Sequence, residues 1–207
     1  MRRNWTGMSV MTAAAVLVAG GAGLTAAPQA QKPGQAQVAA APAAAHMAKP
    51  SPAAVARGKY LVTATGCDDC HTPWKMGANG PEPDMTLMLS GHPASLQMPP
   101  APASSGPWMA SISASRTAFA GPWGVSYTRN LTPDPETGLG QWTEQQFIDT
   151  IRTGREQGRG RELLPPMPWP AFKNFSDADL KAIFAYLRSI PAIKNKVPDP
   201  VIAAPPK

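Results

Sequence analysis

Five consecutive residues constrain this chain more than anything else in it: Cys67-Asp68-Asp69-Cys70-His71. The 207 residues hold no other cysteine, so a multi-disulfide scaffold and a four-thiolate metal site are both excluded. Two cysteines scattered at random over such a length fall three apart about one time in a hundred, and a histidine seldom follows the second. Whatever the fold, it must set two thiols and an imidazole on one tight turn. A redox dithiol would want a βαβ pattern around it, and none is present. Zinc would need a fourth ligand from a second Cys or His pair, yet His46 and His92 stand alone. A disulfide across two intervening residues would be strained and would leave His71 without a role.

The spacing suits covalent haem instead. Two thiols three residues apart can reach the two vinyl groups on one side of a porphyrin, and the next residue can then bring an imidazole nitrogen to the iron. Cys67 and Cys70 are therefore the expected attachment points of one haem c, with His71 as an iron ligand. Three candidates remain for the sixth position: a Met, a second His, or nothing. Of ten methionines, Met1, Met8 and Met11 fall in an N-terminal apolar run and Met47 in a low-complexity stretch. Met167 stands in Leu163-Leu164-Pro165-Pro166-Met167-Pro168-Trp169-Pro170, where four prolines stiffen the backbone and remove amide donors. That loop can hold a thioether at a set distance, which makes Met167 the preferred sixth ligand. Met98, beside Pro99 and Pro100, comes second and His92 third. Trp169 is expected to shield the ligand from water.

The rest of the chain divides by composition. Arg2 and Arg3 followed by the apolar run Met8 to Ala27 give residues 1–30 the form of a signal peptide or N-terminal anchor. Either places the remainder outside the cytoplasm, periplasmic or tethered to a membrane through residues 8–27. From Pro28 to Pro50, seventeen of 23 residues are Ala, Pro or Gln, with little large apolar surface to offset chain ordering. Residues 31–50 read as a disordered tether and the Pro-rich 195–207 as a flexible tail. Residues 51–194 are left as one folded domain, large enough for a buried core. The formal charge of +6 falls to +4 without Arg2 and Arg3, so acidic partners suit it better than nucleic acid.

Within the domain three helices can be read, and the expected class is all-α. Pro52 to Ala64 starts with proline in its first turn. Thr143 to Arg152 opens on a Thr143/Gln146 capping box, carries Phe147, Ile148 and Ile151 on one face, and stops at Gly154. Ser176 to Ile190 is capped by Ser176 and Asp179 and repeats Leu180, Ile183, Phe184 and Leu187 at helical spacing. Gly58 and Tyr60 facing Ala185 and Tyr186 would let the first and last helices cross closely. The Pro/Gly-rich insertion 74–128 holds two similar phrases, Leu89 to Pro93 and Phe119 to Trp123, which fit either irregular loop or a small β-hairpin over the haem. Arg152, Arg155, Arg159 and Arg161 fit a solvated basic turn, a docking patch or propionate contacts. Tyr127, Arg129 and Asn130 fit propionate contacts or turn chemistry around Pro133. No Ser/His/Asp set, glycine-rich phosphate loop or acid pair stands out.

Taken together, five pieces of the chain resemble class I c-type cytochromes, as found among bacterial periplasmic electron carriers and cytochrome subunits of membrane dehydrogenases. They are Gly58 to Val62, Cys67 to His71 with Thr72-Pro73, Asn130 to Asp134 with Thr137-Gly138, Pro166 to Trp169, and Leu180 to Ser189. The resemblance spans most of residues 52–190; this chain differs from the multi-haem subunits in carrying one haem motif, and 96 positions separate His71 from Met167. It implies single-electron transfer between a dehydrogenase donor and an oxidase or other cytochrome acceptor, without catalysis on a bound substrate. The alternative is a pentacoordinate haem enzyme or sensor, reducing peroxide or binding a gas, which requires Met167 to be off the iron.

Overall fold

The computed structural model describes residues 50–102 and 107–203. The signal or anchor segment 1–30 and the tether up to Lys49 lie outside the described residues. Helix α1 spans Pro52–Ala64, where Ser51 Oγ accepts the Ala54 amide at 3.2 Å and Pro52 occupies the first turn. Helix α2 is the single turn Cys67–His71. Helices α3 (Glu144–Thr153), α4 (Trp169–Phe172) and α5 (Asp177–Leu187) complete the helical set. The Thr143/Gln146 capping box is formed, and Gly154 ends α3 in the left-handed conformation with φ 67°. Ser176 Oγ accepts the Asp179 amide and starts α5.

The core lies where α1, α3 and α5 meet. Leu61, Val62, Phe147, Ile148, Ile151, Leu180, Ile183, Phe184 and Leu187 are all buried there, and the Phe147 and Phe184 rings pack with centroids 5.4 Å apart. Helices α1 and α5 cross at Gly58. A Cβ on Gly58 would run into the Ala182 carbonyl oxygen and the Tyr186 side chain. The expected Tyr186 is thus in the crossing, while Ala182, one turn earlier, stands in place of the expected Ala185. Tyr60 is not in the crossing: its side chain is 62 % exposed and lies under the Arg57 guanidinium.

The insertion carries more strand than the all-α reading expected. Strands β1 (Trp74–Gly77) and β2 (Gly80–Pro83) form one antiparallel hairpin. Strands β3 (Ser111–Ile112), β4 (Ala118–Gly121), β5 (Gly124–Tyr127) and β6 (Val201–Ile202) form a second antiparallel sheet in that order. The phrase Phe119 to Trp123 does turn a hairpin, β4 to β5, with Gly121 opposite Gly124. The phrase Leu89 to Pro93 is not its partner. It is irregular chain, buried at Leu89 and His92, and its backbone reaches two other segments: Gly91 N donates to His71 O and His92 N to Thr128 O. Gly91 sits at φ 78°, where an added Cβ would strike the Thr128 carbonyl.

The C-terminal segment is also folded, against the reading of 195–207 as a free tail. Asn195 Nδ2 donates to Ser90 O at 2.7 Å and His92 O at 2.9 Å, its Oδ1 accepts the Ala94 amide, and its own amide donates to Thr137 Oγ1. Val197 is buried, and Val201 pairs with Val125. The side chain thus satisfies three backbone groups of residues 90–94 that have no ladder, while the Asn195 amide ties the same point to Thr137. Residues 204–207 lie outside the described residues. Asn195→Ala is expected to cost about 2–3 kcal/mol, read as a lower denaturant midpoint with an unchanged slope. Among the described residues, no helix is long and apolar enough to cross a membrane.

Candidate haem site

The Cys/His turn is placed by the end of α1. Thr65 Oγ1 donates to Leu61 O at 2.8 Å, and Gly66 takes φ 69° to swing the chain into α2. Cys67 Sγ lies 3.4 Å from Thr65 Oγ1. Burial pushes both the Cys67 and Cys70 thiols above their ordinary pKa, and the Asp69 charge adds to this at Cys70. At the close of α2 His71 is buried, and its Nδ1–H donates to the Arg129 carbonyl at 2.8 Å. A carbonyl can only accept, so the proton sits on Nδ1 and the Nε2 lone pair is left for a metal. Burial also pushes the imidazole pKa down, which keeps the ring neutral.

These side chains open onto a cavity of about 590 Å³. Cys67, Cys70, His71 and Met167 all line it, and Trp142, Phe147, Ile151, Leu180, Ile183 and Leu187 supply apolar wall. Close-packed interiors leave few voids larger than a water molecule, and pockets of about 300–1,000 Å³ are the size that holds cofactors. The donor set fits haem c: two thiols, an imidazole with a free Nε2, and a thioether. Among the described residues, no group of three or more His, Cys, Asp or Glu side chains gathers as a zinc site would require.

Met167 is the only methionine lining the cavity among the described residues. Met76, Met85 and Met109 are exposed, while Met88 packs against the core elsewhere. Met98 is half-buried away from the cavity wall. The Pro-rich loop is tied down by Ser126 on β5, whose Oγ donates to Pro165 O at 2.6 Å. His92 is spent: its Nδ1 meets Thr117 Oγ1 at 2.9 Å and its Nε2 donates to Leu96 O at 3.1 Å. Trp169 does not line the cavity; its ring covers Gly154 at the end of α3, so the expected shielding falls to other residues.

The charged candidates separate clearly. Arg152 pairs with Asp177 at 2.5 Å and Arg155 with Glu162 at 2.6 Å, while Arg159 is exposed. Arg161 and Arg129 line the cavity with Glu156 between them, 3.5 and 3.6 Å away. Burial, and then the neighbouring Arg129 charge, lowers the Arg161 pKa. Asn130 is committed to the turn: its Oδ1 accepts the Thr132 amide and hydroxyl, and its Nδ2 donates to Thr137 Oγ1 and Ile193 O. Asp134 Oδ1 closes the same turn on Thr137 at 2.6 and 2.7 Å. The two contacts the sequence did not show are the Arg129 carbonyl and Ser126. A backbone acceptor carries no side-chain signal, and an isolated serine in a strand carries almost none.

A helical unit with its Cys/His turn, an apolar cavity and a methionine loop across it is the architecture of a haem c protein. The family model for cytochrome c matches residues 55–191, and the chain belongs to the cytochrome c family, with covalently bound haem c as its cofactor. Among curated relatives it is 29 % identical over 159 residues to the cytochrome c subunit of a quinone alcohol dehydrogenase from Gluconobacter oxydans, covering 75 % of this chain and 26 % of that one. It is 28 % identical over 165 residues to the cytochrome subunit of a fructose dehydrogenase from Gluconobacter japonicus, covering 77 % and 26 %. A third match, 30 % over 134 residues, joins it to the cytochrome c subunit of a gluconate 2-dehydrogenase from Pantoea cypripedii, covering 65 % and 22 %. The chain thus spans about a quarter of the length of these relatives.

Proposed function

We infer that this chain is an exported single-electron relay, taking electrons from a dehydrogenase and passing them to an oxidase or another cytochrome. Haem c, when bound, supplies the one-electron iron couple. In this reading Cys67 and Cys70 would hold the macrocycle and His71 and Met167 would ligate its iron, leaving no place there for a substrate. The convergence of those four side chains on one apolar cavity carries the reading. The Nδ1 bond to Arg129 fixes the His71 ring, so the imidazole would be held in one orientation for a bound iron. A thioether ligand and an apolar cover favour the ferrous form and raise the potential. The relatives' names as dehydrogenase cytochrome subunits support a dehydrogenase partner, and the N-terminal pattern of residues 1–30 supports export to the periplasm.

A reduced-minus-oxidised spectrum of the full chain, exported from cells competent for haem attachment, tests this directly. Low-spin haem c with the weak red-region band of iron–sulfur ligation is the expected result. A colourless product with the mass of bare polypeptide would overturn it. Ser126→Ala removes the hydroxyl that fastens the methionine loop, so the red-region band is expected to vanish at lower denaturant than in the parent, with Ser126→Thr restoring part of the difference. An unchanged midpoint for loss of that band would separate Ser126 from the ligand loop.

A further inference from the structure

A haem set in this cavity brings two carboxylates with it, and partly buried carboxylates are costly unless a cation or several donors meet them. Arg129 and Arg161 are the only Lys or Arg side chains lining the cavity among the described residues. Both are about a third exposed, at 37 % and 32 %, so their guanidiniums lie at the rim where the apolar wall meets solvent. We propose that Arg129 and Arg161 are the haem propionate anchors of this chain, with Glu156 holding the two guanidiniums side by side.

Three observations support the assignment, which rests on the reading of the cavity as the haem site. First, the pair is under-neutralised. One carboxylate, Glu156, serves two guanidiniums at 3.5 and 3.6 Å, whereas the outward-facing pairs of Arg152 and Arg155 close to 2.5 and 2.6 Å. The other acidic neighbour, Asp199, stands 4.0 Å from Arg129 and is 95 % exposed, so it contributes little. Second, most donors have no partner among the described residues. Each guanidinium carries five N–H groups, and the side-chain hydrogen bond made by Arg161 is one long contact to Glu162 O at 3.4 Å. Third, the other cationic sequence candidates stand apart from the cavity or are engaged: Arg152 and Arg155 are paired outward and Arg159 is exposed. Asn130 is consumed by its turn, and Tyr127, on the cavity wall with its ring against His92, carries no charge to offset a carboxylate. Planar forks that can each grip a carboxylate with two donors are thus waiting at the rim, with one positive charge in excess after Glu156. The other carboxylates lining the cavity among the described residues are held by other cations, Glu136 by Lys194 at 2.6 Å and Asp69 by Arg116 at 3.2 Å.

Infrared spectroscopy of the holoprotein tests this. Cells fed 5-aminolevulinate labelled with carbon-13 at its carboxyl carbon place the label in the two propionate carboxyls. The isotope-sensitive bands in the ferrous-minus-ferric difference spectrum then belong to the propionates alone. In the folded parent these bands are expected to sit away from those of the proteolytic haem peptide, where no arginine is in reach. Arg129→Gln and Arg161→Gln should each move them toward the peptide position, while Arg155→Gln leaves them in place. Loss of either cation should also tilt the couple toward ferric by about tenfold, which is about 59 mV for one electron. Coincident bands in the folded parent and the peptide would overturn the proposal, even if neither variant matured. So would bands that stay put in both variants. Absence of covalent haem from the parent, read by mass, would instead overturn the haem assignment of the cavity itself.

Discussion

Replacing Met167 by alanine is expected to erase the red-region band of the oxidised protein and to open the reduced protein to carbon monoxide at neutral pH. With His71 and Met167 both ligating the iron as proposed, the parent should bind that gas slowly or not at all. The expectation follows from the cavity wall, where Met167 is the only thioether among the described residues and His92 has both ring nitrogens engaged. Among the described residues no further soft ligand, beyond the two cysteines assigned to the macrocycle, lines the cavity to replace it. The potential should fall in the same variant, because the thioether favours ferrous iron. Optical titration of the band and flash-photolysis rebinding of carbon monoxide read the two effects separately. Fast, complete binding by the parent would favour the pentacoordinate enzyme or sensor.

The second large effect lies far from the iron. Gly58→Leu is expected to destabilise the protein by about 3 kcal/mol or more, and Gly58→Ala by less, because even a Cβ meets the Ala182 carbonyl oxygen. Backbone cannot swing away as the end of a flexible side chain can, so α1 and α5 must separate. That separation pulls Leu61 and Val62 away from Leu180 and Ile183 and loosens the α1 end that aims Cys67. Chemical unfolding of the holoprotein measures the loss. A Gly58→Leu protein with unchanged stability would rule out the tight crossing.

The helices were legible because each is announced locally. Ser51, Thr143 and Ser176 each bond the amide three residues on, and the apolar period needs no partner to be seen. The Cys/His turn was legible for the same reason, being five consecutive residues. Strands of two to four residues were not, since their apolar content is too short to show a period and their pairing is settled by distant chain. β6 pairs with a strand some 75 residues earlier, on the order of half the domain. The helix crossing falls on the expected Gly58 and Tyr186, but Ala182 stands where Ala185 was expected, because spacing along a helix says which face packs and not how far the two helices slide. Trp169 was drawn to the iron ligand by adjacency in sequence, whereas the start of α4 turns its ring onto Gly154.

Arg129 serves the site twice, through parts of the residue that mutation treats differently. Its carbonyl, which steadies the imidazole, belongs to the main chain and survives nearly any exchange at this position; its guanidinium does not. If His71 ligates the iron as proposed, its orientation is therefore insulated from genetic change while the electrostatics at the rim stay adjustable. A series of substitutions at this single codon would tune the couple in steps without disturbing the geometry that holds the metal.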